Sequence, residues 1–374
     1  MNVPKIRFKD FNDDYIRKNL KDVFSFHRGN TLSKADLAEN GNNKCILYGE
    51  LYTKYSAIAN TIYSRTNNNN KNLVYGKKYD VLIPCSGETA LDISTTTCIQ
   101  DDNVIIGGDL TILRPLTDFG NYLSYYLYHK KKIEIAKYAQ GDSVVHLYAD
   151  KIKNLSLNLP TYEEQKKVSQ VLELLDKKIE LQTKKIEDLK LFKLCMMKEI
   201  FTSNSASNLT KIKDIAIIEK GKQINGDLLL EYGNYYMLNG GINPSGYLNE
   251  YNRNENTITI SEGGNSCGYV NINKEKFWCG GHCYSAAPNN INNDYLYQIL
   301  KYNEKAIMEL RVGSGLPNIQ KKDIENFNLK IHNKEEQENI ALKLSKFDYK
   351  ITLEEKYLSK LHDLKKGLMQ NMFV

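Results

Sequence analysis

The sequence predicts an α+β protein built as an internal repeat: two globular, mixed β-rich domains separated by a long antiparallel two-helix coiled coil. Three observations carry this expectation. At a fixed offset of 172 residues, Asn154 falls on Asn326, Leu157 on Leu329, Asp176 on Asp348, Leu189 on Leu361 and Phe201 on Phe373. At a different offset, 192, Lys21-Asp22-Val23…Gly29 falls on Lys213-Asp214-Ile215…Gly221. Two charged runs, opened by Tyr162-Glu163-Glu164-Gln165 and Lys334-Glu335-Glu336-Gln337, carry apolar residues spaced alternately by four and three, the pattern of a helix seam. A repeat on this scale fixes architecture before any single motif does.

The expected boundaries are a first globular domain at 1–160, a helical region at 161–201 and a linker at 202–209. A second globular domain follows at 210–331 and a second helical region at 332–374. In the first domain Tyr79–Ile83 and Asn103–Ile106 read as strands, with Cys85–Thr89 as an exposed polar turn. A helix is expected from Tyr122 to Tyr138, then a glycine-rich turn at Gly141-Asp142-Ser143. The second domain repeats the plan with a strand at Thr257–Ile260, a polar turn at Ser261–Ser266, a helix from Tyr295 to Leu310 and the turn Gly313-Ser314-Gly315. Asn67–Asn70 reads as a solvated loop, and the 26 tyrosines read as ordinary half-buried strand residues.

Thr161 is a good N-cap, and Glu164 completes a capping box with it. The first seam then runs Val168, Leu172, Leu175, Ile179, Ile186, Leu189, Met196, Ile200, broken by Gln182 and Lys193. The second runs Ile340, Leu344, Phe347, Ile351, Leu358, Leu361, Leu368, Met372, broken at the matching places by Glu354 and Lys365. So narrow a stripe needs a partner helix, and a helix of roughly 60 Å is too long to lie on one small domain. The two are expected to pack on each other, antiparallel, with Gln182 and Glu354 fixing register.

The chain has 374 residues, enough for two or three domains. Seven cysteines, no leader and no apolar run near the length of a membrane span point to a soluble cytosolic protein with reduced thiols. The net charge is +6, and residues 1–160 hold 21 Lys+Arg against 17 Asp+Glu. That is a weak footprint for a protein gripping nucleic acid unaided: either the chain does not bind nucleic acid, or partners supply most phosphate contacts, and charge alone does not choose between them. No phosphate-binding Gly-Lys-Ser/Thr loop and no dinucleotide fingerprint is present, which argues against nucleotide hydrolysis and against an adenosylmethionine fold. Cys267, Cys279, His282 and Cys283 are zinc-ligand types within 17 residues. Paired Cys-x2-Cys spacing is missing and the first domain has no counterpart, so buried thiols are expected and no metal site is assigned.

Repeated globular segments joined by Glu-Glu-Gln-led helices resemble the specificity subunit of type I restriction-modification systems. The resemblance spans the whole chain. It is carried also by Val3-Pro4-Lys5-Ile6-Arg7-Phe8-Lys9-Asp10-Phe11, by Gly29-Asn30-Thr31-Leu32-Ser33-Lys34, with Leu32 where the family usually has proline, and by Gly313-Ser314-Gly315-Leu316-Pro317-Asn318-Ile319. The resemblance implies a non-catalytic chain whose globular segments are target recognition domains, each reading half of a bipartite site in double-stranded DNA. Its helices would act as a ruler and dock two methyltransferase subunits. No cofactor is then expected in this chain: S-adenosylmethionine would belong to the methyltransferase subunits, and ATP and magnesium to restriction subunits where these join. Candidate DNA contacts in the first domain are Arg28, Asn30, Thr31, Lys34, Ser86, Glu88, Ser143 and His146. In the second they are Lys220, Lys222, Gln223, Asn265, Ser266, Arg311, Ser314 and Asn318. Loop-borne residues of these types hold phosphates or read base edges. Two other classes compete: a self-sufficient DNA-modifying enzyme, and a coiled-coil scaffold with two protein-binding domains.

Overall fold

The structure is a computed structural model that describes residues 3–203, 208–313, 315 and 317–374. It divides into two compact units, Met1–Leu181 with Leu358–Val374, and Gln182–Tyr357. The division cuts through both long helices, so each unit contains a globular domain and half of each helix.

In unit 1, a five-stranded sheet has the order Phe24–Arg28, Leu110–Pro115, Val81–Pro84, Thr97–Ile99, Ile58–Ala59. A four-stranded sheet of order Ser64–Thr66, Asn43–Ile46, Val104–Ile106, Tyr75–Gly76 lies in the same domain. A two-stranded clasp pairs Ile16–Asn19 with Ser156–Leu159. Unit 2 repeats the plan in reduced form. Its four-stranded sheet runs Ala216–Lys220, Cys283–Pro288, Thr257–Ser261, Val270–Asn273, its three-stranded sheet Gly246–Leu248, Tyr235–Leu238, Trp278–Cys279, and its clasp pairs Asn208–Lys211 with Asn328–Ile331.

The register shows how closely the repeat is kept. Arg28 lies opposite Thr111 and Leu110 opposite Pro84; in unit 2 Lys220 lies opposite Tyr284 and Cys283 opposite Ser261. The strands present in both units keep their partners, while unit 2 lacks counterparts of the edge strands Ile58–Ala59 and Tyr75–Gly76 among the described residues.

Several expected boundaries move. The strands begin at Val81 and Val104 because Tyr79 and Asn103 take left-handed backbone, with φ of 74° and 60°, which ends an extended run. The turn at Cys85–Thr89 is not wholly exposed: Ser86 and Gly87 are buried and form a short strand against Val145–His146. The helix expected at Tyr122–Tyr138 is α over Gly120–Tyr126, π over Leu127–Lys131 and α again over Lys132–Ala136. Its counterpart is broken at Asn303, between Asn293–Tyr302 and Glu304–Met308. Of the expected linker, Thr202 belongs to the helix and Asn208 and Leu209 to the clasp strand, whose partner strand satisfies their backbone; residues 204–207 lie outside the described residues.

The long helices span Tyr162–Thr202 and Lys334–Met372. Within unit 2, Gln182 meets Glu354 and Lys193 meets Asp348; within unit 1, Asp176 meets Lys365. Rising numbers on one helix meet falling numbers on the other, as in an antiparallel coiled coil. Val168, Leu172, Leu175, Ile186, Ile340, Leu344, Ile351 and Leu361 are buried, and Ile179, Leu189, Phe347 and Leu358 are half-buried. Near the C-terminal end of the first helix the deepest side chains shift by one position, to Met197 and Phe201; in the second, Met369 and Phe373 are buried together with the expected Met372. There each helix turns from its partner helix to a globular core. Phe373 packs against Tyr122 and Tyr126 in unit 1, and Phe201 against Tyr295 and Tyr302 in unit 2.

The helix starts also repeat. Gln165 donates to the Pro160 carbonyl at 3.0 Å and Gln337 to the His332 carbonyl at 2.8 Å. Glu164 departs from the capping role assigned by sequence. Its oxygens accept from Arg7 Nε and Nη2 at 2.9 and 2.8 Å, and Oε1 also from the Tyr15 hydroxyl at 3.2 Å, which ties the N-terminal segment to the helix. The bidentate fork outcompetes a helix-end amide because both partners are charged.

Candidate nucleic-acid interface

In each unit a strand end, a glycine pair and a short hairpin form one surface from the same backbone parts. Gly29 donates to the Leu110 carbonyl at 2.9 Å and Asn30 to that of Ile106 at 3.2 Å. In unit 2 Gly221 donates to Cys283 at 2.8 Å and Lys222 to Cys279 at 2.9 Å. A β-carbon on Gly29 would stand 2.1 Å from the Gly107 oxygen, and one on Gly221 2.1 Å from the Gly280 oxygen. This close crossing explains why both openings carry glycine there.

Beyond the crossing, Gly107-Gly108-Asp109 corresponds to Gly280-Gly281-His282. The hairpin also repeats: Gln140 pairs with His146 and Val312 with Asn318. Its turn glycines, Gly141 and Gly313, take φ of 122° and 97°, conformations that favour glycine. Leu147 then donates to the Cys85 carbonyl and Ile319 to that of Glu262, both at 2.9 Å. These bonds place His146 beside Ser86 and Asn318 beside Gly263.

On this shared frame the side chains differ. Unit 1 has Arg28 Nη2 3.7 Å from Asp109 Oδ1, both exposed, in a hollow of about 310 Å³ also lined by His27, Cys85 and His146. A neighbouring hollow of about 750 Å³ is lined by Thr31, Lys34, Glu88, Tyr48 and Tyr52 and shares Asp109 with the first. Unit 2 has the buried carboxylate of Glu262 in the place of Cys85. Its Oε1 accepts from Lys220 Nζ at 2.6 Å and from the Tyr284 hydroxyl at 2.8 Å, and His282 Nδ1 stands 3.6 Å from Oε2. Burial, then the bond to Glu262, pushes the Tyr284 hydroxyl up, so it stays a donor.

The remaining candidates fall less uniformly. Asn30, Ser143, Lys222, Gln223, Asn265 and Arg311 are exposed. Ser266 spends its hydroxyl on the Gly240 carbonyl at 2.9 Å, and Ser314 lies outside the described residues. Ser86 is corrected: it is buried and strand-paired, and presents little to a ligand. Asp109, Glu262 and His282 are not among the candidate contacts read from sequence, and His282 enters there only as a zinc-ligand type. The signal for two of them was the Gly-Gly-x triplet that recurs at an offset of 173. Among the described residues no three His, Cys, Asp or Glu side chains gather to hold a metal ion. The thiols of Cys267, Cys279 and Cys283 turn to the carbonyls of Glu262, Cys283 and Tyr284, and His282 turns to Glu262.

Two units with one backbone plan, differing in side chains at matching places and carrying paired helix halves, define a duplicated recognition-domain protein. The chain belongs to the type I restriction-modification DNA specificity family: residues 12–191 and 204–363 match the type I restriction modification DNA specificity domain. It is 34% identical over 154 residues to a putative type I specificity subunit of Mycoplasma pneumoniae, a match spanning 40% of this chain and 41% of that one. It is 28% identical over 303 residues to a putative type I restriction enzyme specificity subunit of Methanocaldococcus jannaschii, over 70% of each chain. The fold resembles the crystal structure of a type I restriction-modification S subunit from M. genitalium, with a TM-score of 0.75, 19% identity and coverage of 100% and 99%. It also resembles a chain from a structure of complex assembly and conformational transition in a type I system, with a TM-score of 0.56, 14% identity and coverage of 97% and 98%. No helix among the described residues is long and apolar enough to cross a membrane.

Proposed function

We propose that this chain is the sequence-specificity subunit of a type I restriction-modification complex in the cytoplasm. Each unit reads one half of a bipartite double-stranded DNA site. The long helices set the gap and dock two methyltransferase subunits, with restriction–translocase subunits joining where the system has them. Methyl transfer from S-adenosylmethionine and ATP-driven cleavage then belong to the partners. The observation that carries this reading is a matched frame with unmatched chemistry, Arg28, Asp109 and His146 against Lys220, His282 and Asn318. Arginine, lysine and asparagine are the side chains that grip phosphates or read base edges. The mild charge of +6 fits a subunit whose partners share the phosphate contacts.

Co-expression with a cognate methyltransferase subunit, followed by mapping of methylated adenines, tests the reading. An interrupted two-part motif is expected. A protein-binding scaffold would give no sequence-dependent methylation, and methyl transfer by the purified chain alone would point to a self-sufficient enzyme. Replacing residues 1–160 should change one half-site only. Lengthening both helices should change the gap and leave both halves intact, and altered halves would refute this division of labour.

A further inference from the structure

Unit 1 contains a second basic hollow, of about 400 Å³, apart from the surface described above. His129 and Lys130 wall it from the π turn, and His362, Lys365 and Lys366 from the second long helix; no carboxylate lines it. Lys365 is paired with Asp176 at 2.5 Å. Lys130 and Lys366 have no ion-pair partner among the described residues. Desolvation of the His129 ring, then the charges of Lys365 and Lys132, push that imidazole down to about 3, although the residue as a whole is exposed. At neutral pH the lysines therefore carry the charge and His129 is a neutral hydrogen-bonding group.

The repeat shows how the hollow is made. Tyr122, Leu123 and Leu127 correspond to Tyr295, Leu296 and Leu300 at an offset of 173, but Ile135 and Gly141 correspond to Ile307 and Gly313 at 172. One extra residue therefore lies between Leu127 and Ile135, where the backbone takes the π form. Such a turn accommodates an insertion while the helix on either side keeps its packing, and π turns concentrate at functional positions. At the matching positions unit 2 has Tyr302 and Asn303 for His129 and Lys130, and Lys190, Lys193 and Leu194 for the three helix residues. Lys190 is paired with Glu355 and Lys193 with Asp348, each at 2.6 Å. Unpaired cations and the π turn thus occur together at the hollow of unit 1, whereas Lys190 and Lys193 at the matching places of unit 2 are paired.

We propose that this hollow binds a phosphate oxyanion, carried either by a nucleic-acid backbone or by a small polyphosphate. Several lysine donors around one opening suit a multiply charged oxyanion, and unpaired lysines need lose no protein partner on binding.

The test uses the full chain, the K130E/K366E variant and a K322E control, Lys322 being an exposed lysine of unit 2. Circular dichroism restricts the comparison to folded protein. Inorganic pyrophosphate is titrated by calorimetry, and a short labelled duplex of arbitrary sequence by anisotropy. Saturable binding of at least one probe is expected, weakened at least about tenfold in K130E/K366E and little changed in K322E. Selective loss of pyrophosphate binding assigns a small polyphosphate, and selective loss of duplex binding assigns the backbone. Histidine side-chain NMR signals of His129 and His362 should move with the bound probe. No saturable binding, an equal loss in K322E, or binding that leaves both histidine signals unmoved overturns the site.

Discussion

Gln182 donates its side-chain amide to the carboxylate of Glu354 at 2.7 Å and to the Glu354 backbone carbonyl at 3.1 Å. Glu354 is its own counterpart, 172 residues further on. Glu354 also pairs with Lys185 at 2.6 Å, and these partners, Lys185 first, hold its carboxyl below the usual glutamate range. Replacing Glu354 with leucine leaves the buried Gln182 amide without the carboxylate. Urea unfolding should show a lower midpoint, with the Gln182 bond to the backbone carbonyl at position 354 retained. The double change Q182L/E354L should recover most of that loss while weakening register, because an apolar pair fits more than one alignment. A double variant less stable than E354L would contradict this account.

Tyr122 and Tyr295 occupy matching places with different surroundings. The Tyr295 hydroxyl lies 2.7 Å from His332 Nδ1 and accepts from the His332 backbone N–H at 3.0 Å. The counterpart of His332 is Pro160, which offers no N–H, and the buried Tyr122 hydroxyl has no hydrogen-bond partner among the described residues. Y295F should therefore destabilise unit 2 by about 1–3 kcal/mol, whereas Y122F should be neutral or stabilising. Equal losses in the two variants, measured by denaturation, would show that the hydroxyls are not what distinguishes the sites.

His332 also predicts a pH dependence. Burial lowers its proton affinity below the ordinary histidine value, more than Glu336 and the Ile200 carbonyl raise it. The unfolded chain then binds more protons than the folded one, so stability falls as pH drops through about 6.5. Thermal unfolding between pH 8 and pH 5 should show this decline, and it should be smaller in a variant with glutamine at position 332. An unchanged slope would assign the decline to other groups.

For the reading surface, R28A should weaken methylation at one half-site by about 1–3 kcal/mol if Arg28 holds a base edge. If Arg28 holds a phosphate, the loss should be uniform across sequences and salt-dependent. N318A should affect the other half-site. Either substitution altering the bases read in both halves would sink the assignment of one half-site to each unit.

The helical part of the fold was legible in sequence because a seam repeats every few residues and tolerates few residue types. Gln182, Glu354, Lys193 and Lys365 could be picked out by their offset alone. The globular surface was less legible, since its residues meet through register rather than spacing. Ser86 looked like a turn residue because strand pairing with His146 comes from a hairpin some 60 residues away. Glu262 and Asp109 were missed because an isolated carboxylate carries no sequence signal until a cation is found opposite it. The π turn was hidden as well, because one inserted residue leaves the composition of a helix unchanged.

Residues 358–374 belong to unit 1, where Phe373 sits among Tyr122 and Tyr126, the Tyr126 hydroxyl donates to the Val374 carbonyl, and Ile6 donates to that of Asn371. A ribosome emits this chain in one direction, and domains generally fold in the order they emerge. Here the residues that complete the first unit are the last to be made. All of Gln182–Tyr357 is synthesised before the segment that completes the first core, so unit 1 waits for Phe373 while unit 2 already has its full complement of residues. During synthesis, that waiting interval is when the chain is most open to chaperones, proteases and mispairing.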